Sequence, residues 1–164
     1  MLFRSTASVR KVSRITPQML KRMGVRGLLL DIDNTLTTHD NPVPAADVEA
    51  WIASMKSAGI QMRLVSNNHP PRVEPFAKLL GIPFVAESKK PLSFGFSLAQ
   101  ESMGLAKDQL AVVGDQIFTD ILGANLYGVK SIYVQPIEHE TTAFFKFKRF
   151  MEKPFLPKTF SMEE

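Results

Sequence analysis

Two acidic residues, Asp31 and Asp33, follow an apolar run in "LLLDIDNTLTT", residues 28–38. In an extended backbone, residues i and i+2 point the same way, so both carboxylates would face one spot. Like charges this close repel each other and resist burial. Taken alone, the stretch also suits a polar turn in which an aspartate caps the next helix. It is therefore a candidate for nucleophilic, acid–base or metal chemistry, to be judged by what lies near it in space.

Two further polar stretches follow apolar runs. In "SNN", Ser66–Asn68, a hydroxyl and free backbone amides at a predicted helix start suit an oxyanion, although a helix cap has the same composition. In "ESKKP", Lys89 and Lys90 precede Pro91, where we expect a helix to begin. Cations are disfavoured beside the positive end of a helix, and a bound anion would relieve that conflict. A solvated lysine pair is the alternative.

A fourth stretch, "GDQIFTD" at 114–120, places Asp115 at a strand tip and Asp120 early in a helix. An acidic residue in a first helical turn is ordinary. Together with Asp31 and Asp33, however, these carboxylates would surround one crevice, which is strongly unfavourable without a cation. A few oxygen ligands with room for water and phosphate favour Mg²⁺.

The elements that must position these residues alternate between strand and helix. The predicted strands are Gly27–Ile32, Gln61–Val65, Ile82–Ala86, Leu110–Val113 and Ser131–Val134. The predicted helices are one opening after Thr16 with Pro17 first, then Pro44–Ala58, Pro71–Leu80, Pro91–Met103 and Phe118–Tyr127. Because the strands are continuously apolar, we expect an α/β fold, a mostly parallel sheet covered by helices on both faces. Ligands bind at the carboxyl ends of such strands, where all four polar stretches lie.

Composition narrows the class of protein. The 164 residues are enough for one domain, and the absence of cysteine excludes disulfides, a thiolate nucleophile and thiolate metal sites. No apolar run approaches the roughly 20 residues of a membrane span. We therefore expect a cytoplasmic protein.

Charge is unevenly distributed along the chain. Residues 1–26 carry a net +7, residues 27–140 carry −5 and residues 141–164 carry +2. Basic ends on an acidic core suggest a polyanionic surface as partner, either a membrane or nucleic acid. We divide the chain into a basic N-terminal segment (1–14), a domain (15–153) that holds the four polar stretches, and a C-terminal tail (154–164). The Arg- and Ser-rich first segment also fits an organellar transit peptide.

The four stretches resemble, in their order, the motifs of haloacid dehalogenase-like phosphatases: DxDxT at 31–35, a serine after the second predicted strand, Lys-Pro, and GDxxxxD at 114–120. More closely, "ITPQMLKRMGVRGLLLDIDNTL", "LVSNN", "LGIPF", "KKP" and "VVGDQIFTDILGAN" resemble the YqeG family of small bacterial phosphatases. That family is related to the mitochondrial phosphatase acting on phosphatidylglycerophosphate. The resemblance implies a three-layer Rossmann-like fold.

The resemblance also implies roles for the two aspartates of the first motif. Asp31 would be the nucleophile that forms an aspartyl-phosphate. Asp33 would be the general acid that protonates the leaving alkoxide and then the base that activates water. Family enzymes also use the main-chain carbonyl at the position of Asp33 as a metal ligand, beside the carboxylate of Asp31. Asn34 and Thr35 are supporting donors only.

The remaining motifs would bind phosphate and Mg²⁺. Ser66 and Lys90 would hold the phosphoryl oxygens, with Asn67 as a supporting donor. Lys90 is preferred to Lys89 because the family's lysine directly precedes proline. The resemblance implies Mg²⁺ ligation by Asp115, with Asp120 supporting it directly or through water.

Spacing indicates the size of substrate. About 25 residues separate Thr35 from the next strand, and 22 lie between Ser66 and Lys89, so neither gap holds a large cap domain. An uncapped crevice admits a phosphate on something large, such as a lipid headgroup. Together with that crevice, the family resemblance implies phosphatidylglycerophosphate as substrate, with a soluble sugar phosphate or nucleotide as the alternative. Two other classes of protein are alternatives to a phosphatase. One is a receiver-like signalling module, although its phosphorylated aspartate would lie where this chain has Ala86-Glu87-Ser88. The other is a nucleic-acid binder that uses only the basic ends.

The tail stretch "TTAFFKFKRFMEKPF" predicts a last helix that ends at Pro154. Helical spacing would place Phe144, Phe147 and Met151 on one face. The opposite face would hold Lys146, Arg149 and Lys153. We expect the aromatic face to pack on the sheet; the alternative is a peripheral contact of the helix with an anionic membrane, at its inner face.

Overall fold

A computed structural model describes residues 1–163. Its strands are β1 (Ala7–Val9), β2 (Gly27–Leu30), β3 (Gln61–Val65), β4 (Phe84–Val85), β5 (Leu110–Gly114) and β6 (Lys130–Val134). Its α-helices are α1 (Pro17–Met23), α2 (Val48–Ser57), α3 (Pro70–Leu80), α4 (Phe94–Met103), α5 (Leu122–Tyr127) and α6 (Ala143–Glu152). A π-helical turn, Ile117–Ile121, directly precedes α5.

All six strands form one sheet in the order β1-β6-β5-β2-β3-β4, and every neighbouring pair is parallel. β2 is central, with β5 on one side and β3 on the other. The carboxyl ends of these three strands therefore lie side by side at one edge of the sheet, and the loops that follow them meet there.

The sheet is buried on both faces, as its apolar strands predict. Successive residues of β2 alternate between the two faces: Leu28 and Leu30 join a core with Phe76 of α3, whereas Leu29 joins a second core with Phe96 of α4. All of these side chains are fully enclosed. The expected three-layer α/β fold is confirmed, and the two cores hold the central strands rigidly beneath the loops.

Two helices begin later than expected, and one strand was not expected. The helix expected from Pro44 begins at Val48, because the Ala45 N–H donates to the Leu36 carbonyl and folds the preceding residues back on the loop. The helix expected from Pro91 begins at Phe94, since the Leu92 N–H donates to the Lys89 carbonyl at 2.8 Å and closes a turn before it. The edge strand β1 has three residues, too few for a periodic pattern, and was not predicted from the sequence.

The chain termini pack against each other. β1 pairs with β6, and Ser8 in β1 exchanges hydrogen bonds with Ser161, whose hydroxyl accepts from the Ser8 N–H at 3.1 Å. Within residues 1–163, only α2 lies between β2 and β3 and only α3 between β3 and β4, so the part of the chain that the structure describes has no cap domain at those points. None of the helices in this part is long and apolar enough to cross a membrane.

Candidate active site

Three buried carboxylates converge at the carboxyl end of the sheet. Asp31 follows β2 and Asp115 follows β5, and the Asp31 N–H continues the ladder between these strands by donating to the Val113 carbonyl at 2.9 Å. Asp120 reaches the same place from the π-helical turn. One carboxylate oxygen from each residue lies within 4.8 Å of the other two. Three like charges at this distance require compensation by cations or protons.

Gly114 makes room for the third carboxylate. A Cβ built on Gly114 would lie 2.3 Å from the Cγ of Asp120, so only glycine allows this approach. The Gln116 N–H donates to Asp120 Oδ2 at 3.2 Å and fixes the side chain against the strand end. The glycine of "GDQIFTD" is thus a steric requirement of the site.

Lys90 compensates part of the negative charge. Its Nζ donates to Asp31 Oδ1 at 3.0 Å and to Asp120 Oδ1 at 2.7 Å, and its side chain is almost fully enclosed. Burial alone would lower the pKa of Lys90, but Asp120 and Asp31 outweigh that effect and raise the pKa. The lysine is therefore held as a cation between two carboxylates.

The carboxylates hold protons more tightly than usual in the metal-free protein. Burial, opposed by Lys90 and reinforced by Asp115, raises the pKa of Asp31 to about 7. Burial together with the Asp31 carboxylate raises the pKa of Asp120 to about 6, although Lys90 opposes the rise. Burial also raises the pKa of Asp115. A cation that entered the cluster would displace those protons.

The loops after β3 and β4 are joined by Asn67. Its Oδ1 accepts from the Lys90 N–H at 2.7 Å and the Ser88 hydroxyl at 2.8 Å, and its Nδ2 donates to the Lys90 carbonyl at 2.9 Å. Ser66 is buried beside it, and the Ser66 Oγ accepts from the Asn68 N–H at 3.1 Å. The side chain of Asn67 thus fixes the backbone of Lys90, and no acceptor within residues 1–163 takes the Ser66 hydroxyl proton.

A pocket of about 300 Å³ opens over these groups, and its lining includes Asp31, Asp33, Ser66, Lys90 and Asp115. The three carboxylates, with one oxygen each within 4.8 Å of the others, form a hard, oxygen-only donor set, which suits Mg²⁺. The lysine and hydroxyl beside them suit the oxygens of a phosphoryl group.

Comparison with known proteins agrees with this geometry. A family model for haloacid dehalogenase-like hydrolases matches residues 36–128. The probable phosphatase YqeG of Bacillus subtilis (strain 168) is 38% identical over 148 residues, which are 90% of this chain and 86% of that protein. The chain belongs to the haloacid dehalogenase-like hydrolase family. It is a phosphatase of that family, as the motifs predict.

Two further comparisons extend the family relationship. Phosphatidylglycerophosphate phosphatase 1, chloroplastic, of Chlamydomonas reinhardtii is 31% identical over 130 residues, covering 72% of this chain and 47% of that protein. The crystal structure of an uncharacterized protein from Listeria monocytogenes serotype 4b has a TM-score of 0.59 at 20% identity, covering 72% of this chain and 85% of that one. The latter likeness concerns the fold.

In this phosphatase, Asp33 lies apart from the carboxylate cluster. Its Oδ1 accepts from Arg72 Nη2 at 2.9 Å and from the Asp40 N–H at 2.8 Å, and its side chain lines the pocket wall. The group of three clustered carboxylates does not include it. Thr35, in contrast, donates from its hydroxyl to Asp115 Oδ1 at 3.0 Å, and so orients a residue of the cluster.

Arg149 was not predicted as a residue of the site. From α6 it donates to the Asp115 carboxylate, to the Asp115 carbonyl at 2.8 Å and to Glu140 Oε1 at 2.9 Å. It also contacts Glu152 Oε2 at 3.0 Å, and Glu152 in turn accepts from the Ile117 N–H at 3.1 Å. Burial alone would lower the pKa of Arg149, but Asp115 and Glu152 raise it.

The expected orientation of α6 is therefore wrong. Arg149 faces the site rather than solvent, and Lys148 Nζ donates to Gln116 Oε1 at 2.8 Å. The aromatic face that was expected to pack on the sheet is turned outward, with Phe144 and Phe147 exposed. Periodicity identified the two faces but not their direction. The acids Glu140 and Glu152, which lie near Arg149 in the sequence, are its partners in the structure. No sequence pattern identified them as the partners of a buried arginine.

Proposed function

We propose that this phosphatase hydrolyses phosphomonoesters through an aspartyl-phosphate on Asp31. Asp31 is the candidate because it lies at the end of the central strand, in the pocket, with Lys90 at 3.0 Å. Its oxygen attacks phosphorus in line with the ester oxygen, so that a bond from Asp31 to phosphorus forms as the phosphorus–ester bond breaks. The convergence of Asp31, Lys90 and the two other carboxylates is the observation that carries the proposal.

Proton transfer is assigned to Asp33. Both hydrogen bonds that Asp33 accepts within residues 1–163 use its Oδ1. Its Oδ2 is therefore left for the substrate. In the first step Asp33 gives a proton to the leaving alkoxide. In the second it removes a proton from water, which attacks phosphorus, releases inorganic phosphate and restores the Asp31 carboxylate.

Phosphate and metal binding are assigned to the other residues of the pocket. Ser66 and Lys90 hold the transferred oxygens, and Asn67 keeps Lys90 in place. Asp31, Asp115 and Asp120, with the main-chain carbonyl of Asp33, would hold Mg²⁺. When bound, Mg²⁺ would neutralise charge on the phosphoryl oxygens.

For the substrate we propose phosphatidylglycerophosphate, dephosphorylated at the inner face of the membrane. Three features support this choice: the named activity of the Chlamydomonas relative, the absence of a cap domain over the pocket in residues 1–163, and the presence of Phe144 and Phe145 in the pocket lining. An aromatic pocket rim suits a phosphate attached to an apolar body better than a free sugar phosphate.

The test is a substrate panel with and without Mg²⁺, comparing phosphatidylglycerophosphate in vesicles with sugar phosphates and nucleotides. We expect turnover of the lipid with Mg²⁺ and loss of turnover in EDTA. Asp31→Asn should lower kcat by roughly a thousandfold or more. Asp108→Asn, which changes an exposed aspartate at the other end of β5, is the matched control.

A second measurement examines the intermediate directly. Acid-quenched enzyme should gain the mass of one phosphoryl group, and Asp31→Asn should not. Asp33→Asn should slow both steps. Full turnover by Asp31→Asn would show that another residue is the nucleophile. A preference for a soluble ester would show that the lipid is not the substrate.

A further inference from the structure

The outward half of α6 is an uncovered apolar surface. Phe144 is 69% exposed, Phe147 63% and Phe150 62%, and Met151 beside them is also exposed. Helical spacing places these four side chains in one band along the helix, which we call the aromatic band. A contiguous surface of this kind on a single chain is characteristic of a contact with something apolar.

The inward half of α6 explains why the aromatic band faces outward. Arg149 and Glu152 are held by the charged network of the site, so the helix cannot rotate without breaking buried ion pairs. The direction of the aromatic band is thus set by the active site.

Lysines border the aromatic band on both sides. Lys148 lies on the side of the pocket, and Lys146 and Lys153 lie on the other. The Lys153 ammonium is 5.5 Å from the centre of the Phe150 ring. The single acid of α6, Glu152, is buried on the inward half. The outward surface of α6 itself therefore combines aromatic rings with lysines and carries no acid, although Glu138 of the preceding loop lines the same pocket as Lys146 and Lys153.

This charge pattern selects the partner. A second copy of the chain, pairing band to band about a two-fold axis, would bring like-charged lysines together. An anionic lipid surface offers acyl chains to the rings and negative headgroups to the lysines, and each lysine near such a surface strengthens binding roughly fivefold. The observations favour a bilayer.

The aromatic band also continues into the pocket, since Phe144 lines the pocket together with Lys148. A helix lying in the plane of the bilayer surface would place the pocket mouth at the level of the headgroups. We infer that the aromatic band of α6 docks this phosphatase onto an anionic bilayer, with the active-site pocket opening beside the docked face. The inference rests on the proposed function only for the identity of the substrate.

The experiment measures sedimentation of the full chain with phosphatidylcholine vesicles and with vesicles containing phosphatidylglycerol. We expect binding to the anionic vesicles. The double variant Phe147→Ser/Phe150→Ser should bind them about tenfold or more weakly, because two rings are removed from the contact. Lys146→Gln/Lys153→Gln should lose about as much, and only on anionic vesicles.

The matched control is Leu79→Ser/Leu126→Ser. These leucines are also exposed, but they lie near the C-termini of α3 and α5, at the opposite end of the sheet from the pocket. The control should bind vesicles like the wild type. All variants should hydrolyse p-nitrophenyl phosphate with Mg²⁺ at the wild-type rate, since none of the changed residues touches the carboxylate cluster.

Unchanged vesicle binding by the phenylalanine variant would overturn the inference. So would a wild-type chain that ignores vesicles but forms dimers that this variant abolishes, which would assign the aromatic band to a second copy. If docking behaves as expected while phosphatidylglycerophosphate is not hydrolysed, the proposed substrate fails and the docking surface stands.

Discussion

The metal-free phosphatase should lose stability as pH rises from 5 to 8. In the unfolded chain Asp31 ionises near its ordinary pKa of 3.8, whereas burial raises its pKa in the folded protein to about 7. Between these values the folded state holds a proton that the unfolded state has released. The contribution of Asp31 to the free energy of unfolding is therefore greatest below pH 3.8 and decreases until the pH passes about 7. The full rise corresponds to about 4 kcal/mol, of which about 3 kcal/mol falls between pH 5 and 8.

The assay is urea unfolding in EDTA at unit steps of pH. The free energy of unfolding of the wild type should decrease by about 3 kcal/mol over this range from Asp31 alone, with Asp120 adding to the decrease below pH 6. In Asp31→Asn the titrating group is absent, and the neighbouring Asp120 loses one source of its own raised pKa. The dependence on pH should therefore flatten by about 3 kcal/mol.

Adding Mg²⁺ provides the internal control. A cation that replaces the protons should stabilise the wild type more at pH 8 than at pH 5, and stabilise Asp31→Asn less at both. An equal slope in EDTA for wild type and Asp31→Asn would refute the argument that Asp31 is the buried, proton-binding member of the cluster.

Two further predictions concern the surroundings of the cluster. Arg149→Met should lower the free energy of unfolding, measured in urea, by about 3–5 kcal/mol, because it leaves Asp115 and Glu152 buried without their partner. The control Lys146→Met changes an exposed residue and should alter that free energy by less than about 0.5 kcal/mol. Equal effects of the two substitutions would show that the network is not buried. Gly114→Ala should destabilise the protein by about 1–3 kcal/mol, since the new Cβ would lie 2.3 Å from the Cγ of Asp120. It should also raise the Mg²⁺ concentration needed for half-maximal activity. An unchanged Mg²⁺ requirement would mean that Asp120 is not a ligand.

The sheet and the clustering of polar groups could be predicted because both depend on local pattern. Continuous apolar runs such as Gly27–Leu30 require burial on both faces, and parallel connections then place every strand's carboxyl end at one edge. Asp31 and Asp115 are adjacent for that reason alone. The Thr16 cap of α1 was also predictable, because its hydroxyl accepts from the Met19 N–H within one turn.

What could not be predicted depends on contacts between distant segments. Asn67 was predicted as a supporting phosphate donor, and its additional role, three hydrogen bonds that link two loops, was not predicted. Asp33 was grouped with Asp31, yet Arg72, 39 residues along the chain, draws it to the pocket wall. β1 forms only because β6 offers it an edge, more than 120 residues away. No local pattern encodes partners at such separations.

The orientation of α6 shows which physical term decides when two patterns compete. Burying the aromatic band would gain roughly 1.5–3 kcal/mol for each ring. Turning Arg149 outward, however, would leave the buried carboxylates of Asp115 and Glu152 without their shared cation, a loss of about 3–5 kcal/mol. The two energies are of similar size, and the fold keeps Arg149 beside the buried Asp115, which leaves the rings exposed to water. An apolar medium that covers those rings would satisfy both demands together, and this is the physical reason for the docking of α6 on a lipid surface that we propose.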